Sequence, residues 1–128
     1  MTRRAVSTSS APPAAGPYSQ AITTDELVFC AGQLGADPAT NQLADGVQAQ
    51  TEQVMRNLQA VLDAAGCTFA DVVKTTCFLA DINDFAAFND VYVRFVSDPA
   101  PARSTFQVAA LPRGGLIEIE AIAVRSRG

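Results

Sequence analysis

Three side chains in the C-terminal part of the chain could do chemistry together: one arginine, Arg103, and two glutamates, Glu118 and Glu120. An arginine guanidinium presents a planar fork of donors that matches a carboxylate group. A glutamate whose pKa is raised by burial can orient a water molecule and accept its proton. These residue types can bind a small carboxylate and activate water, and they can equally form a structural ion pair at an interface.

Several other kinds of site are excluded or disfavoured by composition. The chain has no histidine, which excludes Ser-His-Asp, Cys-His and histidine-metal sites within one chain. Cys30, Cys67 and Cys77 form no CxxC pair, so we expect buried thiols in a reducing compartment and a cytoplasmic protein, with no metal site. Lys74 is the only lysine, and a paired or solvent-reaching lysine is favoured over a Schiff-base amine.

The charge balance argues against several partners. Nine basic and 13 acidic residues give a net charge of −4, which argues against electrostatic binding of nucleic acid. No segment approaches the run of roughly 18 apolar residues that crosses a membrane, and no secretory signal is expected. With 48% apolar and only 17% charged residues, we expect a globular protein with part of its surface buried in an oligomer.

The clearest predicted element is a helix over residues 47–65, where apolar residues recur at helical spacing. Asp45 is expected to cap its start, with Gln48 completing a capping box. Gly66 is a natural stop.

A second helix is predicted from Asn83 or Asp84, with an apolar stripe that continues to Val96 and with Pro99 beyond its end. Apolar and β-branched segments predict four strands, over 27–34, 72–79, 103–108 and 116–124. Gly32 inside the first of these strands predicts a bulge or the close approach of another group.

These elements predict a single domain over residues 1–128, whose first 15 residues form a mobile arm. Two helices serve four or more strands, so they can cover only one face of one sheet. The expected fold is therefore a two-layer α+β domain. The other face of the sheet then meets solvent or another subunit.

Alternation along the last strand separates two faces. One face is wholly apolar and suits the helices: Ile117, Ile119, Ala121 and Ala123. The other face mixes glutamates with apolar residues, which predicts a subunit interface that contains a polar pocket. The same alternation over 103–108 is expected to turn Ser104 and Phe106 towards the helices and to leave Arg103 on the face that carries Glu120.

Five sequence blocks resemble the reactive intermediate/imine deaminase (Rid) family, and they stand in the order and spacing of that family from about residue 12 to 127. They are GPYSQA at 16–21, AGQ at 31–33, VKTT at 73–76, PARS at 101–104 and IEIEAIA at 117–123. The resemblance implies a chorismate-mutase-like domain that assembles as a homotrimer around a central barrel, with ligand clefts between neighbouring subunits.

The activity implied by the resemblance is hydrolysis of enamines and imines, such as 2-aminoacrylate and 2-iminopropionate, to 2-keto acids and ammonia, without a cofactor. Carried over residue by residue, Arg103 binds the substrate carboxylate and Glu120 positions the attacking water. Tyr18, Gly32 and Asn89 match further site positions of the family. Tyr18 would equally suit interface packing, and Asn89 would equally satisfy backbone groups.

Two site positions depart from the family pattern. Ala31 stands where a serine is usual, and Thr105 stands where a cysteine is often found. Both departures leave the preferred substrate open. Glu118 has no family role that the resemblance assigns, so structural pairing is favoured for it.

Two other classes of function stay open at this point. The family resemblance also brings an endoribonuclease or translation-inhibitor activity, against which the acidic charge and the lack of histidine count. A non-catalytic trimer that binds small carboxylates, or that acts as a holdase, is the other alternative. A carboxylate binder needs only the arginine, so Arg103 together with a glutamate favours the enzyme.

Overall fold

The computed structural model describes residues 2–125, in which eight helices and strands are joined by turns and loops. In chain order they are β1 (Arg4–Val6), β2 (Ala21–Thr23), β3 (Leu27–Leu34), α1 (Val47–Ala64), β4 (Val72–Leu79), α2 (Phe85–Tyr92), β5 (Ala102–Gln107) and β6 (Ile117–Val124). Three single 3₁₀ turns precede β4, α2 and β6.

All six strands form one mixed sheet in the order β1-β2-β3-β6-β4-β5. Every neighbouring pair is antiparallel except β4 and β5, which are parallel because α2 lies between them in the chain. Both helices cover the same face, so the predicted two-layer α+β fold is confirmed. Neither helix in the described part of the chain is long and apolar enough to cross a membrane.

The core lies between the two helices and one face of the sheet. The apolar residues of β6 are buried on this face, as alternation predicts: Ile117, Ile119, Ala121 and Ala123. The stripe of α1 packs against it: Val54, Met55, Leu58, Val61 and Leu62. The opposite face of the sheet is open, and we call it the open face.

The predicted helix over 47–65 is confirmed, but its start is built differently. Gly46 is the residue before the first turn, with a φ of +89°, and no side chain caps the helix. Asp45 lies outside this position, so the predicted capping box does not form. At the other end Gly66 adopts a φ of +80°, the left-handed backbone that glycine tolerates best, and the helix stops there as predicted.

The second helix begins after a 3₁₀ turn that replaces the predicted cap. Asp81 accepts a hydrogen bond from the Asn83 amide at 2.9 Å, whereas neither Asn83 nor Asp84 caps α2 with its side chain. The helix ends at Tyr92, so the last part of the predicted stripe continues in a turn.

The N-terminal segment is part of the sheet, which corrects the predicted mobile arm. β1 pairs with β2, and Ala11 is fully buried further along. The buried side chain of Gln20 accepts from the Thr8 amide at 2.7 Å and donates to the Pro12 carbonyl at 2.8 Å. The composition of the first 15 residues suggests an unfolded arm, but the side chain of Gln20 satisfies backbone groups of this segment.

A fully buried asparagine on α1 holds the end of β3. The amide nitrogen of Asn57 donates to the carbonyls of Leu34 and Ala36 at 3.0 and 2.9 Å, and its oxygen accepts from Gln53 at 2.9 Å. Leu34 and Ala36 also line a cleft described below. Asn57 therefore connects the core helix to the wall of that cleft.

We expect Asn57→Ala to destabilise the protein by about 1–3 kcal/mol, because the buried carbonyl of Ala36 and the half-buried carbonyl of Leu34 lose their partner. The measurement is urea unfolding followed by circular dichroism. Gln59→Ala is the matched control, since Gln59 lies on the exposed side of the same helix, and it should change the stability by less than about 0.5 kcal/mol. Equal stabilities of the two variants would contradict this role of Asn57.

Candidate active site

Arg103 stacks its guanidinium over three aromatic rings of α2. The carbon at the centre of the guanidinium lies 4.9 Å from the centre of the Tyr92 ring, 5.3 Å from that of Phe88 and 5.4 Å from that of Phe85. An aromatic face attracts a cation at these distances. The rings therefore hold the guanidinium in place without neutralising its charge.

Two hydrogen bonds fix this stack. Nη1 of Arg103 donates to Oδ1 of Asn89 at 2.7 Å, and the Tyr92 hydroxyl lies 2.7 Å from the buried hydroxyl of Thr75. The guanidinium has five N–H donors and uses one on Asn89, which leaves donors for a ligand. The structure thus brings together two of the predicted site residues, Arg103 and Asn89.

The predicted face of Arg103 is wrong. Arg103 lies opposite Thr75 in the parallel β4–β5 pair, on the side covered by α2. Ser104 and Phe106 take the open face, where Phe106 packs edge-on against Phe78. The alternation is as predicted but its phase is reversed. β5 is an edge strand, so the core does not oblige its apolar residues to turn inward.

Thr105 follows Arg103 by two residues and lies on the same side of β5. Its Oγ1 is buried and has no hydrogen-bond partner within residues 2–125. A buried hydroxyl without a partner is costly unless a ligand or a water molecule satisfies it. Thr105 therefore adds a free polar group next to the arginine.

Glu118 lies on the open face, directly against Gly32. A Cβ built on Gly32 would overlap the carboxylate of Glu118, so only glycine leaves room for this contact. The β3–β6 register shifts between Cys30 and Gln33, which is the bulge that Gly32 predicts. Gly32 thus indicated in the sequence that another group lies close to β3, but it did not indicate that this group is Glu118.

Glu118, Gly32 and Tyr18 line one cleft of about 290 Å³. Tyr18 stands at its edge and accepts a hydrogen bond on its hydroxyl from the Ala15 amide at 3.2 Å. The remaining wall is mostly apolar: Pro12, Pro13, Ala15, Leu34, Ala36 and Pro112. We call this space the Glu118 cleft.

Burial raises the pKa of Glu118, and the negative charge of Glu120 raises it further. Glu120 lies two residues along the same strand, is exposed and is not part of the cleft wall. The carboxylate with the environment of a proton acceptor is therefore Glu118, where the resemblance had pointed to Glu120. Alternation shows that both glutamates share a face but cannot show which of them is enclosed.

Ala31 also lies outside the Glu118 cleft. It lines a shallower depression on the other side of Tyr18, together with Phe29. The seven predicted site residues therefore fall into two groups within one chain. One group lies on the helix face of the sheet and on α2: Arg103, Thr105 and Asn89. The other group lies about the open face: Tyr18, Ala31, Gly32 and Glu120.

The two groups stand on opposite faces of the sheet. The register pairs Thr76 with both Ser104 and Glu120 on the open face, whereas Arg103 lies beside Thr75 on the helix face. The sheet therefore separates Arg103 from Glu118 within one chain. Each face carries one of these two charged groups.

The three cysteines have the surroundings of buried structural residues. Burial is the main cause that raises the pKa of Cys30 to about 12 and that of Cys77 to about 11, and burial also raises the pKa of Cys67. All three are free and buried. Within residues 2–125 no three histidine, cysteine or acidic side chains converge as a metal site would require.

The sequence of the chain matches a known protein family. The family model described as "Endoribonuclease L-PSP" matches residues 8–125, nearly the whole chain. The chain belongs to the endoribonuclease L-PSP family. The resemblance to imine deaminases is confirmed by relatives that share the name 2-iminobutanoate/2-iminopropanoate deaminase.

Two of these relatives cover almost the full chain. The goat (Capra hircus) protein is 53% identical over 126 residues, and the human protein is 48% identical over 126 residues. In both cases the match spans 98% of this chain and 92% of the relative.

Solved structures of the L-PSP family have the same fold. RidA from the Antarctic bacterium Psychrobacter matches with a TM-score of 0.93 and 48% identity, over 95% of this chain and 99% of that one. Escherichia coli TdcF, solved with bound serine, matches with a TM-score of 0.92 and 41% identity, over 96% and 99% of the two chains.

We expect Glu120→Gln to lower the pKa of Glu118 towards its ordinary value, because the substitution removes a like charge. The remaining burial keeps the pKa above that value. The measurement is a ¹³C NMR titration of the glutamate carboxyl carbons. Glu52→Gln is the control, since Glu52 lies on α1 beside Arg56 and should leave the pKa of Glu118 unchanged.

The sign of the linked stability effect follows from the raised pKa. The folded protein holds the Glu118 proton more tightly than the unfolded chain does. The resulting stabilisation is complete below the unfolded pKa and is lost as the pH rises through the folded pKa. A pKa of Glu118 that is unchanged or higher in Glu120→Gln would contradict the coupling between the two carboxylates.

Proposed function

We propose that the protein hydrolyses imines of 2-amino acids, and their enamine tautomers, to 2-keto acids and ammonia. Relatives that are 48–53% identical over 98% of the chain are named 2-iminobutanoate/2-iminopropanoate deaminase. The observation that carries the proposal is the pair of complementary half-sites: a cation held ready for a carboxylate, and an enclosed carboxylate with a raised pKa.

We propose that the working unit is a homotrimer in which one subunit brings Arg103 to the Glu118 cleft of its neighbour. The opposite positions of the two half-sites support this arrangement. So does the open face, where Phe29, Phe106 and Val124 are each 42–45% exposed. Large apolar side chains gathered on one sheet face are typical of a surface that another subunit covers.

Arg103 is the residue that binds the substrate carboxylate in this proposal. The aromatic rings and Asn89 hold its guanidinium in one orientation, so little conformational entropy is lost when the carboxylate binds. TdcF, which shares the fold, was solved with serine, a molecule that carries such a carboxylate. Thr105 offers its unpaired hydroxyl beside the same ligand.

Glu118 is the residue that activates water in this proposal. An enamine first takes a proton on carbon and becomes an iminium ion, whose carbon is electrophilic. Water attacks that carbon while Glu118 accepts the water proton, which gives a carbinolamine. Glu118 then returns the proton to nitrogen and ammonia leaves. The C=O bond of the keto acid forms as the hydroxyl releases its proton to water, which balances the proton that the enamine took up. The whole conversion consumes one water molecule and needs no other reactant.

Glu120 has a different role here from the one that the resemblance suggests. Its exposed position on the open face leaves it outside the cleft, and its charge acts on the pKa of Glu118. A higher pKa makes Glu118 a stronger base and, once protonated, a donor that matches the amine it must release. Glu120 is thus a tuning residue in the proposed mechanism.

The alternative functions have less support. A net charge of −4 and the absence of histidine do not favour cleavage of RNA. A trimer that only binds carboxylates does not need an enclosed glutamate beside the arginine site. Three free, buried thiols suit a reducing compartment, so we also propose that the protein works in the cytoplasm.

Arg103→Ala and Glu118→Gln should each inactivate the enzyme but rescue each other in mixed trimers. We expect the single variants to lose about 30-fold to several-thousand-fold in kcat/KM for 2-iminobutanoate. If each site takes Arg103 from one subunit and Glu118 from the next, random mixing at equal amounts restores about one quarter of the sites. The measurement is 2-keto acid formation in competition with semicarbazide.

The matched control mixes Arg103→Ala with Arg103→Gln. Both variants lack the same half of the site, so their mixed trimers should stay inactive. Light scattering and two different affinity tags establish that mixed trimers form. Mixed trimers of the complementary variants without recovered activity would contradict the shared site, and a stable monomer with full activity would contradict both the trimer and the shared site.

A further inference from the structure

A second arginine, Arg113, lies on the wall of the Glu118 cleft. It belongs to the loop between β5 and β6, and it reaches across to Asn41 in the loop between β3 and α1. One guanidinium nitrogen donates to Oδ1 of Asn41 at 3.3 Å, and the other donates to the Asn41 carbonyl. The two loops are therefore joined at the cleft by one side chain.

Both ends of this contact have an unusual backbone. Arg113 and Asn41 each have a φ of +59°, in the left-handed region that few residues other than glycine adopt. Asparagine tolerates this region, but arginine has no special preference for it. Such strain persists only where the surrounding structure holds it. The contact between the loops is what holds the guanidinium at the cleft.

No ion pair within the described part of the chain neutralises the charge of Arg113. Among residues 2–125, Glu52 forms ion pairs with Arg56 and Arg94, and no carboxylate lies at ion-pair distance from Arg113. Asn41 occupies two of its donors, and a guanidinium has five. Arg113 is exposed to solvent, and it presents a cation with free donors to the same cleft that Glu118 lines.

We propose that Arg113 determines substrate specificity by binding a second carboxylate, so that the substrates include imines of acidic amino acids, 2-iminosuccinate and 2-iminoglutarate. This inference rests on the proposed function. The neighbour's Arg103 holds the carboxylate next to the imine carbon, and Glu118 acts on that carbon. The substrate side chain then extends into the cleft, whose apolar wall suits methylene groups and whose one arginine suits an acidic end.

The test compares two substrates in three proteins: the wild type, Arg113→Gln and Arg56→Gln. Amino-acid oxidases generate 2-iminosuccinate from aspartate and 2-iminobutanoate from 2-aminobutanoate, with catalase present to remove peroxide. Arg56 is the matched control, because it lies over the Phe95 ring outside the cleft and its substitution changes the net charge equally.

We expect Arg113→Gln to lower kcat/KM for 2-iminosuccinate about 10- to 100-fold, mainly through KM, because the substrate carboxylate loses its charged partner in ground and transition states alike. The value for 2-iminobutanoate should change less than about twofold, since that substrate has no second carboxylate. Arg113→Lys should recover part of the loss, and Arg56→Gln should leave both values unchanged.

A second measurement needs no variant. Succinate should inhibit hydrolysis of 2-iminobutanoate by the wild type about tenfold more strongly than butanoate does, because only succinate offers a second carboxylate. Equal inhibition, or an equal loss on both imines in Arg113→Gln, would overturn the role of Arg113. So would a wild type that hydrolyses 2-iminobutanoate but not 2-iminosuccinate. A wild type that hydrolyses neither imine would instead overturn the proposed function.

Discussion

Alternation of side chains across a β-sheet is the constraint from which the rest of this molecule follows. It puts Arg103 under α2 and Glu118 on the open face of the same sheet. In the proposed trimer, each of these residues is therefore presented to a second copy. The apolar side chains on the open face are consistent with this, since they bury their surface only when another subunit covers the sheet.

The two half-sites depend on different kinds of contact. Arg103 is held by ring faces and one amide oxygen, which leave its charge intact. Glu118 lies against the backbone of β3, where the absence of a side chain at Gly32 leaves room for the carboxylate. A preorganised cation such as Arg103 favours catalysis, because it need not reorganise as charge develops.

The sequence was sufficient to predict the position and orientation of elements that bury many apolar residues. It was not sufficient for elements that bury few. The periodicity of α1 and of β6 fixes their position and their inward faces, because a slip of one residue would expose the core. β5 is an edge strand that buries few apolar residues, so the phase of its alternation was predicted wrongly. The face on which Arg103 lies was therefore predicted wrongly as well. The choice between Glu118 and Glu120 depends on which of them meets Gly32, and that depends on the bulge in β3. No local pattern indicated that Gln20 would hold the N-terminal segment.

The depth of the three cysteines has a consequence for the chemical durability of the protein. A thiol must lose its proton before it reacts with an electrophile or an oxidant. With pKa values of about 11 and 12, Cys77 and Cys30 present roughly one thiolate in 10⁴ to 10⁵ molecules at neutral pH. Imines are electrophiles, and peroxide is an oxidant. Buried thiols that stay protonated react slowly with molecules of both kinds.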